Sequence, residues 1–340
     1  MTLVSVIVIE RNVRKYIKNC LDSLLAQSYR NVEIIVCDGN STDGTKEIIR
    51  EEYVPKGVKL LVDEGKGPGI ATNLAIKHSR GEILCFTFGD EEPTTTWIEN
   101  IVRHFEDPSV LGVFGPAFFK KESGLLTKFA QYKLKNRWIR RKYIDSKHIA
   151  NTNCAYRRTV INKVGYFRED MVDAYDSEFS YRVFCGGCKI VYDPKAIVYH
   201  QAGHEESLIT YLTAIMNVNF GYGQAIYIHG IRFAPEIFLL SVVTLGHMLF
   251  LLILCLLKFN LFIYMILLEF VALAGYSIFK CFHARTFIAL FNLFFIPFRL
   301  IVGSFSLFLG AMYQLFKMRS YSSLALMIRK IFDFTRLKWD

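Results

Sequence analysis

The chain opens on LVSVIVI, residues 3–9, an unbroken apolar run rich in β-branched side chains apart from Ser5. Such a run predicts a strand buried on both faces. The period then changes. VRKYIKNCLDSLLAQS sets Ile17, Leu21, Leu24 and Leu25 on one stripe, which predicts a helix. VEIIVCD, residues 32–38, predicts a second strand, and STDGTKEIIREEY a second helix with Ser41 as its cap. VKLLVDE, GIATNLAIKHS and GEILCFTF continue the rhythm as strand, helix and strand. Alternation of this kind predicts a doubly wound α/β sheet, in which ligands bind beyond the carboxyl ends of the strands. Further on, DAYDSEFSYRVFCGGC predicts a helix closed by a glycine turn, followed by strands KIVYD and AIVYH.

Beyond residue 204 the pattern is different. Residues 206–229 carry a helical apolar stripe with few charges, suited to a helix lying along a bilayer surface. From Phe233 to Tyr313 the only charged residues are Glu236, Lys258, Glu269, Lys280, Arg285 and Arg299. Residues 236–257 make a helix of roughly 33 Å, enough to cross the hydrocarbon core, and 261–279 can return. The basic loop Lys280–Arg285 sets the cytoplasmic side. The stretch 286–313 holds Pro297 and Arg299 at its middle, an expensive place for a charge. As a third span it would place the basic tail, 317–340, outside. A kinked pair of short interfacial or re-entrant helices is the expected alternative. The predicted organisation is a catalytic domain over 1–204, an interfacial segment over 205–232, a membrane region over 233–316 and a basic tail.

Composition agrees. The 340 residues are 52% hydrophobic, with mean hydropathy +0.26 and net charge +10. That excess of positive charge beside apolar helices favours anionic lipid surfaces over nucleic acid, for which no motif is present. No leader is expected, because MTLVSVIVIERN runs directly into the first strand. The catalytic domain is therefore expected on the cytoplasmic side of a multi-pass cell-membrane protein. Eight cysteines are scattered without paired spacing. The Cys185–Cys188 pair reads as a turn rather than a zinc site. The basic stretch 133–147 is either a solvated helix face or a contact for phosphates or the membrane surface.

The candidate chemistry begins at CFTFGDEEPTTTWIE, residues 85–99. Here a buried strand ends in Asp90, Glu91 and Glu92, and Pro93 is expected to stop further pairing. Three adjacent carboxylates repel unless water or a cation relieves them, so the stretch is either a solvated turn or a metal site.

Together these stretches resemble the inverting family-two glycosyltransferases of GT-A fold. VSVIVIERN through NVEIIVCDGNSTDGT matches the family's opening, and GIATNLAIKHSRGEILCFTFGDEEP its acidic motif. NTNCAYRRTVINKVGYF with DAYDSEFSYRVF matches its acceptor and general-base region. The resemblance spans roughly residues 3–224. It implies a divalent cation, Mg²⁺ or Mn²⁺, on Asp90, assisted by Glu91 and with His200 as a further ligand or a structural strand-end residue. It implies nucleotide-sugar contacts from Ile9, Glu10, Arg11, Asn12, Asp38, Asn73 and Gly89. Asp38 contacts the nucleobase or closes an Asx turn. Asp176 is implied as the general base, its alternative being a helix N-terminal acid. Asn151, Asn153 and Glu178 are assigned to the acceptor, with a structural role for Glu178 equally open. Departures are Phe88 at the first acidic position, Ile9-Glu10 near the nucleoside, Thr72 for an arginine and Tyr175 for a glutamate. In NVNFGYG, residues 217–223, Phe220 takes the aromatic position of a gating segment that here lacks its arginines. The acceptor implied is a lipid-linked saccharide or polyprenyl phosphate. The rival reading is a non-catalytic membrane scaffold with a degenerate transferase domain.

Overall fold

The computed structural model describes residues 1–120, 149, 151–171, 173–201, 208–257, 259–284 and 292–317. The basic stretch 133–147, His204 and the tail after Lys317 lie outside the described residues. The chain forms two compact units, one of residues 1–122 and 133–203, the other of 123–132 and 204–340.

In the first unit β1 (Val4–Glu10) lies at the centre, parallel to β2 (Val32–Asp38) and β4 (Ile83–Phe88). β3 (Lys59–Val62) extends the parallel set beside β2. Every residue of β1 is buried, as its unbroken apolar run requires. α1 (Ile17–Leu25) turns Ile17, Cys20, Leu21 and Leu24 onto the sheet. α2 (Thr45–Ile48) is short and starts after Gly44, in the left-handed region. Ser41 is therefore not a helix cap; its hydroxyl accepts the backbone N–H of Asn12. α3 (Pro68–Lys77) and α4 (Trp97–Val102) follow β3 and β4 with the expected alternation.

Past β4 the sheet is mixed rather than wholly parallel. β8 (Cys154–Arg157) runs antiparallel between β4 and β6 (Val110–Phe114), and β9 (Lys189–Tyr192) closes the order β3-β2-β1-β4-β8-β6-β9. A second, small sheet joins β5 (Glu91–Pro93), β10 (Val198–His200) and β7 (Ala117–Phe119). Pro93 does not stop pairing: it ends edge strand β5, opposite Val198, a place where its missing N–H is tolerated. α5 (Arg158–Val164) and α6 (Tyr175–Cys185) complete the unit, α6 ending in the turn Gly186-Gly187.

The second unit is helical. α7 (Leu208–His229) packs along α10 (Asn292–Lys317) at a separation only glycine allows. A Cβ added at Gly223 would lie 1.9 Å from the Leu307 carbonyl oxygen, and one at Gly310 1.9 Å from that of Phe220. Small residues at such crossings let backbones meet, the mode of association available to helices in lipid. Phe220 packs against Tyr313 in this seam. α8 (Pro235–Leu257) is, among the described residues, the one helix long and apolar enough to cross a membrane. α9 (Phe259–Ala284) carries a shorter apolar stretch, Ile263–Leu273. Where a pair of short helices was expected, α10 is one helix with Pro297 inside it. Only about one turn precedes that proline, so its lost hydrogen bond falls near the helix start.

Gly310→Val is expected to lower the melting temperature of the detergent-solubilised chain, with a loss of about 1–3 kcal/mol or more from overpacking. Gly246→Val is the control, because nothing lies within 4 Å of its Cβ position. Equal melting of the two variants would show that the seam is not closely packed.

Candidate active site

Strand register decides which side chains meet. Glu10 is paired with Asp38 across β1 and β2, and Ile9 with Phe88 across β1 and β4. The three central strands thus end together, and Gly89-Asp90 continues from β4 beside Glu10. A Cβ on Gly89 would lie 2.6 Å from that of Glu10 and 2.9 Å from Val13 Cγ2, so only glycine brings the acidic turn this close.

From this edge β5 departs with Glu91, and β10 returns His200 directly opposite it. Ligand atoms of Asp90, Glu91 and His200 lie within 4.8 Å of one another, the one such group of three among the described residues. His200 Nδ1 is 3.4 Å from Asp90 Oδ2, and the imidazole stacks on Phe119. Glu91 is 1% exposed; its Oε2 accepts from the Thr87 hydroxyl and the Phe88 N–H, while Oε1 has no hydrogen-bond partner. Burial, then the neighbouring Asp90 charge, pushes the Glu91 carboxyl well above the usual carboxylate range. A buried acceptor oxygen without a donor, beside a second carboxylate and an imidazole, fits a hard divalent cation with oxygen and nitrogen ligands. Phe88 contributes no ligand; Glu91, one place after Asp90, supplies the second carboxylate.

Asp176 occupies the first turn of α6, after Ala174 in the left-handed region (φ 54°). Its Oδ2 accepts the Asn151 N–H at 3.0 Å and its Oδ1 the Ser177 N–H at 2.7 Å. Burial, the leading cause, pushes the carboxyl up to about 6 against these two bonds, with Asp173 adding repulsion. The turn Asn151–Asn153 lies beside the end of β4: the Asn151 N–H holds Asp176, and Thr152 stands near Glu91. Asn153 anchors the turn, accepting from Trp97 Nε1 and donating to the carbonyls of Pro116 and Ala196.

Several expected ligands are bound up in the scaffold. Asn153 has its side-chain bonds filled as just described. Glu178 is fully buried and paired with Arg182, whose guanidinium also holds the carbonyls of Val164 and Tyr166, an arrangement that favours the structural role left open above. Asn73 bonds both backbone groups of Phe167 and the Glu169 carboxylate, fixing α3 against the loop before α6. Asn12, at φ 56°, accepts from Thr42 N–H and ties β1 to the loop after β2. Asp38 is fully buried and accepts the Ser41 N–H at 2.7 Å, the Asx-type arrangement left open above. Ile9 is buried, and Arg11 is exposed beside Gly39 and Gly65. Asn151 keeps its Nδ2 buried without a partner, next to the Tyr175 hydroxyl. Tyr175 also meets Thr72, so two departures from the family pattern contact one another.

Residues missed by the sequence reading are Thr87, Thr152, Trp97 and Asp63. Asp63, buried at the end of β3, accepts the Gly65 N–H at 2.6 Å. Its signal was legible: it is a third acid closing a strand.

The profile of "Glycosyl transferase family 2" matches residues 5–165. Glycosyltransferase AglE of Haloferax volcanii is 30% identical over 207 residues, 59% of this chain and 68% of that one. The Escherichia coli UDP-Glc:alpha-D-GlcNAc-diphosphoundecaprenol beta-1,3-glucosyltransferase WfaP is 32% identical over 122 residues, covering 36% of this chain and 49% of that relative. This chain thus matches about half of WfaP's length. Among solved structures, mannosyltransferase PcManGT from Pyrobaculum calidifontis, in complex with GDP-Man and Mn²⁺, shares the fold with TM-score 0.57 at 19% identity. That alignment covers 93% of this chain and 88% of the other.

Proposed function

Because the chain belongs to glycosyl transferase family 2 and is a glycosyltransferase, we propose that it moves a sugar, with inversion, from a nucleotide-sugar to a lipid-linked acceptor at the cytoplasmic membrane face. The observation that carries this reading is the turn Asn151–Asn153, which bonds the carboxylate of Asp176 through the Asn151 N–H and packs beside β4, whose end leads into the Asp90–Glu91–His200 cluster. One half-buried base and one acidic cluster, both beside a single turn, suit the two demands of the reaction. A proton must leave the acceptor hydroxyl, and negative charge must be stabilised on the leaving diphosphate.

Asp90, Glu91 and His200 would hold Mg²⁺ or Mn²⁺, which when bound supplies positive charge for the departing nucleoside diphosphate. Asp176 accepts the acceptor's proton as the new glycosidic bond forms, and attack opposite the leaving group inverts the anomeric centre. Its two backbone hydrogen bonds fix the carboxylate's direction, so little reorganisation is needed. Asn151 Nδ2 and the Tyr175 hydroxyl are polar groups beside that base suited to sugar hydroxyls.

Support for a membrane-borne acceptor is the exposed leucine face of α8, where Leu256 and Leu257 are 77% exposed. α9 would complete a hairpin, and α7 and α10 would lie at or in the bilayer surface; WfaP acts on a diphosphoundecaprenol-linked sugar, as its name states. Holding enzyme and acceptor on one surface raises their effective concentration.

The deciding experiment offers UDP- and GDP-sugars to the reconstituted full chain in native lipid extract with Mn²⁺. Nucleoside diphosphate release and sugar incorporation into lipid are both followed. One donor is expected to give both, and Asp176→Asn and Asp90→Ala to give neither. Tight metal-dependent binding of a donor with no turnover on any lipid acceptor would instead favour the scaffold reading.

A further inference from the structure

Glu10 is one of the departures from the family pattern near the nucleoside, and its surroundings are unlike those of an ionised carboxylate. It is 5% exposed, Asp38 is fully buried, and the two are paired in register on adjacent parallel strands. Glu10 Oε1 and Asp38 Oδ2 are both buried, and neither finds an N–H or O–H donor. The other oxygens have partners: Asp38 Oδ1 takes the Ser41 N–H, and Glu10 Oε2 lies 3.5 Å from the Ser41 hydroxyl. Two buried acceptor atoms without donors, on side chains paired across adjacent strands, repel when both groups are ionised. A single proton between them turns the contact into a charge-assisted hydrogen bond.

We propose that Glu10 is a positioning residue of the donor pocket, held as the acid so that its O–H donates to Asp38 and the pair presents one negative charge instead of two. The proposal rests on the donor-binding reading of this strand edge. It removes the conflict between a glutamate here and a bound diphosphate. It also fixes Asp38 in its turn from the side opposite Ser41.

The groups facing Glu10 agree. On β2 stand Asp38 and the Cys37 thiol, with Asp63 of β3 beyond. In the following loop Asp43 adds negative charge, while Arg14 is turned to Asp43. Across the β4 end lie Gly89 and then Asp90 and Glu91, and from α1 the buried Cys20 thiol. Among the described residues no Lys, Arg or His side chain bonds either carboxyl. Burial, followed by the Asp38 contact and charge, pushes Glu10 up to about 10. With the folded value raised, the stabilisation is complete below the ordinary carboxylate range, near 4.5, and is lost as pH climbs toward about 10.

Three readouts on the full chain in detergent test this, comparing wild type with Glu10→Gln and Glu10→Ala. In the wild-type-minus-Glu10→Gln infrared difference spectrum at pH 8, the carbonyl stretch of a protonated carboxylic acid is expected. The melting-temperature advantage of Glu10→Gln over wild type is expected to widen steadily from pH 5 to pH 9, because the amide donates without taking up a proton. Binding of UDP and GDP with Mn²⁺ is expected to stay within about threefold in Glu10→Gln and to weaken about tenfold in Glu10→Ala. An absent carbonyl band, or a melting difference that does not change with pH, overturns the proposal. So does Glu10→Gln binding as poorly as Glu10→Ala. Failure of wild type to bind any nucleoside diphosphate would sink the donor-site reading instead, and with it Glu10's positioning role, while the infrared result would still report the shared proton.

Discussion

Asp176→Asn is expected to slow sugar transfer by ~10²–10⁴-fold while leaving nucleoside diphosphate affinity within a factor of about two. The substitution keeps shape and removes only the capacity to take a proton. One amide oxygen still accepts a backbone N–H, so α6 should stay in place at a cost of about 1 kcal/mol. The pH profile gives a second, independent check. Because the carboxyl lies at about 6, the base is ionised above that pH and protonated below it. The wild-type rate should therefore plateau near pH 7–8 and fall about tenfold per unit below pH 6, while the residual rate of Asp176→Asn stays flat. Initial rates across pH 5–8 with one active donor decide the matter. Retention of a third or more of the rate by Asp176→Asn would reduce Asp176 to an acid favouring a helix N-terminus.

How much of this site was legible in the sequence varies with the distance over which each residue acts. The parallel strands β1 to β4 were readable because a strand buried on both faces imposes its own unbroken apolar pattern, as LVSVIVI does. β8 carried no such mark. CAYR is four residues long, and its antiparallel place between β4 and β6 depends on pairing with strands far away in sequence. Pro93 misled for a related reason, since whether a proline ends pairing depends on whether its strand lies at an edge. Among site residues, Asp90 and Asp176 followed from short motifs in a recognisable order. Asn73, Asn153 and Glu178 stood in equally suggestive places, yet their polar atoms are engaged by Phe167, Trp97 and Arg182, partners 4 to 94 residues away. Composition cannot distinguish an asparagine that meets a sugar from one that satisfies a buried carbonyl. The approach of residues 151–153 to the acidic cluster was likewise invisible until β8 brought them beside β4.

Removal of the acidic cluster should have the second large effect. Asp90→Ala is expected to bring nucleoside diphosphate affinity in Mn²⁺ down to its value in EDTA, a loss on the order of 10²-fold, and to abolish transfer. His200→Ala removes one ligand and leaves both carboxylates, so about a tenfold loss, recoverable at higher Mn²⁺, is expected. Glu91 needs separate treatment because it does two things. Its Oε2 satisfies Thr87 and the Phe88 N–H, so Glu91→Ala should also lower the melting temperature in metal-free buffer, where Asp90→Ala should not. The Glu91 carboxyl is raised by burial and by Asp90, which favours its protonated form when no metal is bound. Cation binding must expel that proton, so Mn²⁺ affinity should strengthen with rising pH, approaching tenfold per unit. Calorimetry in two buffers of different ionisation enthalpy counts the proton directly. Release of about one proton per Mn²⁺ in wild type, and none in Glu91→Gln, is the expected result. If wild type and Glu91→Gln both bound Mn²⁺ without proton release, Glu91 would not be a ligand, and the cation would rest on Asp90 and His200 with water.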